Sequence, residues 1–161
     1  MGIFKGLEKR GSSCQYITMR TLILFCAFTL SSKAFALCVV PPKANLRKGP
    51  GLNFSLIMDA IPYTPLKKVS KKGGWYEVKD VDGKSAWVRE DVVTTTYKCV
   101  VIKDEFANIR NGPGTKFPKS GAGMGEKYLS FRLLEEQKEW VKVEDLDGDQ
   151  AWIHKPAVWI Q

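Results

Sequence analysis

Ala44-Asn45-Leu46-Arg47-Lys48-Gly49-Pro50-Gly51 returns 63 residues later as Ala107-Asn108-Ile109-Arg110-Asn111-Gly112-Pro113-Gly114, and Phe54 and Phe117 keep that spacing. Further on the spacing is 65. Trp75 matches Trp140, Val78-Lys79-Asp80-Val81-Asp82-Gly83 matches Val143-Glu144-Asp145-Leu146-Asp147-Gly148, and Ala86-Trp87-Val88 matches Ala151-Trp152-Ile153. One module is therefore written twice. The second copy gains two residues between Phe117 and Trp140, placed near Gly121-Ala122-Gly123-Met124-Gly125. Each copy has its own turns and its own apolar set, so the two form an array and not a solenoid.

Within each copy, strand-length apolar runs such as Leu66 to Val69 and Tyr128 to Leu134 alternate with turn chemistry at Gly49-Pro50-Gly51 and Lys72-Gly73-Gly74. No window carries a sustained 3.6-residue apolar period, so little helix is expected. The fold class that follows is all-β: two tandem small, strongly bent β-barrels, with Thr94-Thr95-Thr96 at their boundary. The hairpin around Asp82-Gly83 is the most tightly specified piece. A three-residue loop, Val81-Asp82-Gly83, pairs Val78 with Ala86 and Tyr76 with Val88 and puts Gly83 in a left-handed position. Period-two alternation then sets Trp75 across from Arg89 and Glu77 across from Trp87 on the other face. In the second copy Trp140 faces His154 and Lys142 faces Trp152.

The amino-terminal segment reads as an address. Met19-Arg20 precedes ten uncharged residues, Thr21 to Leu30, and Ala34-Phe35-Ala36 supplies small residues for cleavage. Basic start, short apolar stretch and A-x-A ending describe a secretory signal peptide over 1–36, cut after Ala36. A membrane helix needs roughly 20 apolar residues, and Lys33 interrupts this stretch. No membrane-spanning segment is expected after cleavage. Residues 1–18 extend the charged start, or belong to a start codon upstream of a true start at Met19. Leu24-Phe25 before Cys26 and Ala36-Leu37 before Cys38 are too bulky for a lipoprotein signal. The protein is expected in the periplasm or outside the cell, with domains at 37–96 and 97–161.

Export changes the meaning of the cysteines. Cys38 and Cys99 remain, each ahead of a Val-Val pair. In an oxidising compartment an even pair reads as a disulfide, the alternative being two buried thiols. Such a bridge closes about 60 residues and adds roughly 4 kcal/mol by the chain-entropy account.

The formal charge of +8 arises from 25 Lys and Arg against 17 Asp and Glu, and half of it sits in residues 1–36. What remains is too modest to argue for nucleic acid. A single histidine excludes two-His and three-His zinc sites, and Asp82 and Asp147 stand in turns too poor in acids for calcium. The residues require no metal and no cofactor. Lys67-Lys68 and Lys71-Lys72 make the first copy basic, which suits an anionic polymer or lipid headgroup, or simply a solvated hairpin.

A-N-[LI]-R-x-G-P-G, a mid-domain Trp and a closing D-G-x-x-A-W-[VI] resemble the bacterial Src-homology-3 (SH3) domain in both copies, with Ala86 and Ala151 where Gly is commoner. The resemblance implies a five- to six-stranded barrel and a binding role, often toward cell-wall peptides or glycans of the envelope. In many relatives such domains target an attached hydrolase; none is recognised in this sequence, so that role is not expected. The resemblance places the ring at Trp75 and Trp140 beside a ligand groove, while Trp87 and Trp152 weigh toward covering the thin barrels. Arg89 and His154, opposite Trp75 and Trp140, complete the candidate binding set. His154 is the one residue suited to general-base chemistry, but its counterpart Arg89 cannot accept a proton. No catalytic residue is therefore expected. Arg47 and Arg110 are expected to bind loop carbonyls of their own barrel. The leading reading is an exported, non-enzymatic tandem module binding peptidoglycan or an envelope peptide or protein. An envelope protein–protein adaptor and, third, a small hydrolase using His154 are the rivals.

Overall fold

Runs rich in Val and Ile, cut every few residues by Gly, Pro and Asp, favour short pleated strands over helices. A computed structural model describes residues 36–161 and shows this result. The expected leader lies outside the described residues, apart from Ala36. The first copy holds β1 (Ala36–Val39), β2 (Ala44–Arg47), β3 (Leu56–Ala60), β4 (Pro65–Lys72), β5 (Trp75–Lys79), β6 (Ser85–Arg89) and β7 (Val93–Thr94). The second holds β8 (Cys99–Ile102), β9 (Phe106–Arg110), β10 (Lys119–Glu126), β11 (Ser130–Gln137), β12 (Trp140–Glu144), β13 (Gln150–His154) and β14 (Val158–Ile160). The helical turns among the described residues are two short 3-10 pieces, Glu90–Val92 and Lys155–Ala157. No helix among them is long and apolar enough to cross a membrane.

Each copy forms its own antiparallel sheet, and the two strand orders are the same: β3-β2-β6-β5-β4-β1-β7 and β10-β9-β13-β12-β11-β8-β14. Seven strands stand where the resemblance implied five or six. The reason is that β1 pairs on one side with β4 and on the other with β7, which returns after the 3-10 turn. The arrangement β11-β8-β14 repeats this.

The cores follow the repeat. Leu37, Val39, Leu46, Leu66, Val78 and Val88 fill the first, and Val100, Ile102, Ile109, Phe131, Val143 and Ile153 take the same places in the second. The hairpin register is the one expected from a three-residue loop with the apolar residues on one face. Val78 pairs with Ala86 and Tyr76 with Val88, and Val143 pairs with Ala151 and Val141 with Ile153. Gly83 and Gly148 take φ of 77° and 87°, a backbone state with little cost only for glycine. The two extra residues of the second copy are absorbed in β10, whose pairing with β9 jumps between Lys119 and Met124. Gly123, at φ 66°, lies inside that bulge.

Cys38 and Cys99 are joined in a disulfide, with Cα atoms 5.9 Å apart. It ties β1, the opening strand of the first sheet, to β8, the opening strand of the second.

Candidate functional site

Because Val78 and Val88 point inward, the alternate residues of β5 and β6 face out in rows across the ribbon. Trp75 stands across from Arg89, and Glu77 across from Trp87. On the next strand Arg47 of β2 pairs with Trp87, which sets Asn45 beside Arg89. A shallow pocket of about 170 Å³ forms at that row, bounded by Trp75, Arg89, Asn45, Arg47, Lys43 and Leu52. The second copy builds a pocket of about 220 Å³ from Trp140, His154, Asn108, Arg110, Phe106 and Thr115. Every lining residue of one pocket is the repeat counterpart of a lining residue of the other, including Val92 and Ala157 from the 3-10 turns.

The structure thus brings Trp75 to Arg89 and Trp140 to His154, with ring centroids of the second pair 5.2 Å apart at 53°. It does not bring Trp87 or Trp152 into either pocket. They lie one row along, across from Arg47 and Arg110. All four indoles are half-buried.

The pocket walls are braced by the loop that recurs in both copies. The Arg47 guanidinium donates to the Phe54 carbonyl at 2.8 Å, and Arg110 donates to the carbonyls of Phe117 at 2.7 Å and Thr115 at 3.3 Å. Both arginines hold their own loops closed. The Phe54 and Phe117 rings lie over Gly49 and Gly112, where a Cβ would come within 2.4 and 2.3 Å of them. The loop residues Leu52 and Thr115 are held over the pockets in this way.

The two pockets share a ring and an amide but differ in charge. The first is rimmed by Lys43, ion-paired with Asp59 at 2.8 Å, and by Arg89, paired with Asp91. The second has Phe106 and His154 at those places. An indole face, a side-chain amide and a cation can hold an extended ligand by stacking and hydrogen bonds. Among the described residues no cluster of three His, Cys, Asp or Glu is placed to hold a metal.

A third feature was missed by the sequence reading. Asp82, in the β5–β6 turn, accepts a hydrogen bond from the Tyr128 hydroxyl at 2.7 Å and an ion pair from Lys127 at 3.1 Å. The Tyr128 bond, with Lys127 next, holds the Asp82 carboxyl below its usual range, and the same contact raises Lys127. Beside this clamp lies a cavity of about 350 Å³, walled by Met58, Ala60, Ile61 and Leu66 of the first copy and Val101 and Tyr128 of the second. Tyr128 and its counterpart Tyr63 both adopt left-handed backbone, at φ 73° and 61°. No repeat signal points to the clamp, because it joins one copy to the other.

A model of the bacterial SH3 domain family matches residues 40–94 and again residues 103–159, which together make up most of the chain. Domains of this family are in general non-catalytic binding modules, often associated with the cell wall. No curated protein matches the chain. Among solved structures, an NlpC/P60 family protein from Bacillus cereus is 16% identical over 78% of this chain and 56% of that one, with a TM-score of 0.36. NlpC2 and NlpC1 from Trichomonas vaginalis are each 13% identical. They cover 78% and 84% of this chain and 48% and 49% of their own, with TM-scores of 0.35 and 0.36. This chain spans about half the length of those structures. On the two matched stretches, and with the same strand order in each, the chain belongs to the bacterial SH3 domain family and carries the domain twice in tandem.

Proposed function

We propose that this protein is an exported, non-catalytic binding module, with domains at 37–96 and 97–161, that recognises cell-wall peptides or peptidoglycan through the pockets at Trp75 and Trp140. The observation that carries the reading is the pair of equivalent pockets, matched residue for residue, each with an indole, an Asn amide and a loop held in place by arginine. A ring that is half-buried and rigid offers contact area at low entropic cost. Arg89 and His154 border the ligand, and their unlike chemistry argues against a shared catalytic base. Trp87 and Trp152 extend the aromatic surface along the ribbon. Export is supported by the Cys38–Cys99 bond, which belongs to an oxidising compartment.

Retention on purified sacculi tests the reading. The wild-type protein should co-sediment, and Trp75→Ala with Trp140→Ala should release it while leaving the unfolding midpoint within experimental error. Clean flow-through of the wild type, with capture of an envelope protein instead, would favour an adaptor and overturn recognition of the wall.

A further inference from the structure

The outer faces of the two ribbons carry different charge arrangements at matched positions. In the first copy Lys67 stands directly across from Lys79, and Lys72 across from Trp75. All three lysines are exposed, and none is ion-paired among the described residues. Their counterparts are Arg132, Glu144 and Gln137, and Arg132 and Glu144 form an ion pair at 3.5 Å. The middle row differs in the other sense, with a single acid in the first copy and a complementary pair in the second. Ser70 donates a hydrogen bond to Glu77 at 2.7 Å across from Trp87, whereas Glu135 and Lys142 face each other across from Trp152.

Like charges directly opposite each other on a sheet are unfavourable. The second copy shows that this fold accommodates the complementary pair at that position. A merely solvated ribbon gains nothing from the lysine pair, but an anionic partner laid across it turns repulsion into attraction. The wider balance agrees. From Leu37 to Cys99 there are 11 Lys and Arg against 6 acids, and from Val100 onward 9 against 10.

Spacing narrows the partner. The lysine rows at Lys79 and at Trp75 are four residues apart along β5, about 13 Å at the usual strand rise. Between them sit the Trp87 ring and Glu77, which repels charge at the midpoint. An extended peptide shows every second side chain on one face, so residues one, three and five span the same distance. We propose that the outer face of the β4–β5–β6 ribbon docks an extended acidic peptide with carboxylates four residues apart and an aromatic or apolar residue midway over Trp87. The inference deepens the function proposed above by naming the charge of the ligand, and it rests on that reading only in taking the ribbon as a ligand surface.

The probe is a labelled peptide of repeating Glu-Ser-Tyr-Ser units, titrated with the full chain at low salt and followed by fluorescence anisotropy. It should bind at least ten-fold more tightly than an isomer with its glutamates grouped at one end. Lys79→Glu, which restores the charge pattern of the second copy, should weaken binding about five-fold and leave the urea midpoint unchanged or higher. A role in folding alone would not produce that combination. Equal affinity for the two isomers, or indifference to Lys79→Glu, overturns the proposal. So does binding to phosphatidylglycerol vesicles in place of the peptide. Sacculus retention is scored separately: retained protein that ignores the peptide sinks this inference alone, and peptide binding without retention sinks only the reading of the wall as target.

Discussion

Reduction of Cys38–Cys99 should destabilise the first barrel and spare the second. The bond closes a loop with a sequence separation of 61, and that loop contains every strand from β2 to β7. The strands after Cys99 lie outside it. Closing a loop of that length removes unfolded-state freedom equivalent to about 4 kcal/mol at 25 °C. A barrel of this size has a total stability of only about 3–9 kcal/mol, so the term is a large fraction of it. Both cysteines are fully buried, and as thiols they remain small apolar groups, so reduction adds no charge to the interior near neutral pH. Residue-resolved amide exchange, with and without reductant, is the assay. Val78 and Val88 report on the first core, and Val141 and Ile153 on the second. Opening free energies should fall by about 4 kcal/mol at the first pair and by less than about 1 kcal/mol at the second. An equal fall in both barrels would mean that the bond acts through native packing between them, and the loop-entropy argument would be refuted.

Other perturbations follow from the same geometry. Gly49→Ala and Gly112→Ala push a methyl group into the Phe54 and Phe117 rings, at a cost of about 1–3 kcal/mol each in denaturant melts. Adding Phe54→Ala to Gly49→Ala should recover most of that loss, and no recovery would place the strain in the backbone. For Asp82 the folded carboxyl titrates below its unfolded value, so the clamp's contribution is present above about pH 4 and disappears as pH falls through the lower folded value. Tyr128→Phe removes the main cause and should move the Asp82 titration, read by carboxyl NMR, back up toward the ordinary range. An unchanged titration would mean that Lys127 alone sets it.

Wherever the controlling physics is local, the sequence by itself was sufficient. Asp82-Gly83 and Asp147-Gly148 mark the turns, the need to keep apolar residues on one face selects the three-residue loop over the two-residue one, and period-two alternation then assigns a face to every residue of β5, β6, β12 and β13. The same holds for the all-β class, the two copies and the site of the inserted residues, whereas the Cys38–Cys99 bond, to which two buried thiols were the alternative, joins segments 61 residues apart. Tertiary structure decided what else gathers around each indole. The sequence set Trp75 across from Arg89 and weighed Trp87 toward covering the barrel, but only the pairing of β2 with β6 places Asn45 beside the first row. That pairing spans some forty residues and depends on how the barrel closes. The β1–β7 pairing, which raises the strand number to seven, and the Tyr128–Asp82 contact between copies have the same character. A turn or an alternation is settled by a few neighbouring side chains, whereas these contacts exist only once two distant segments have been packed against a common core.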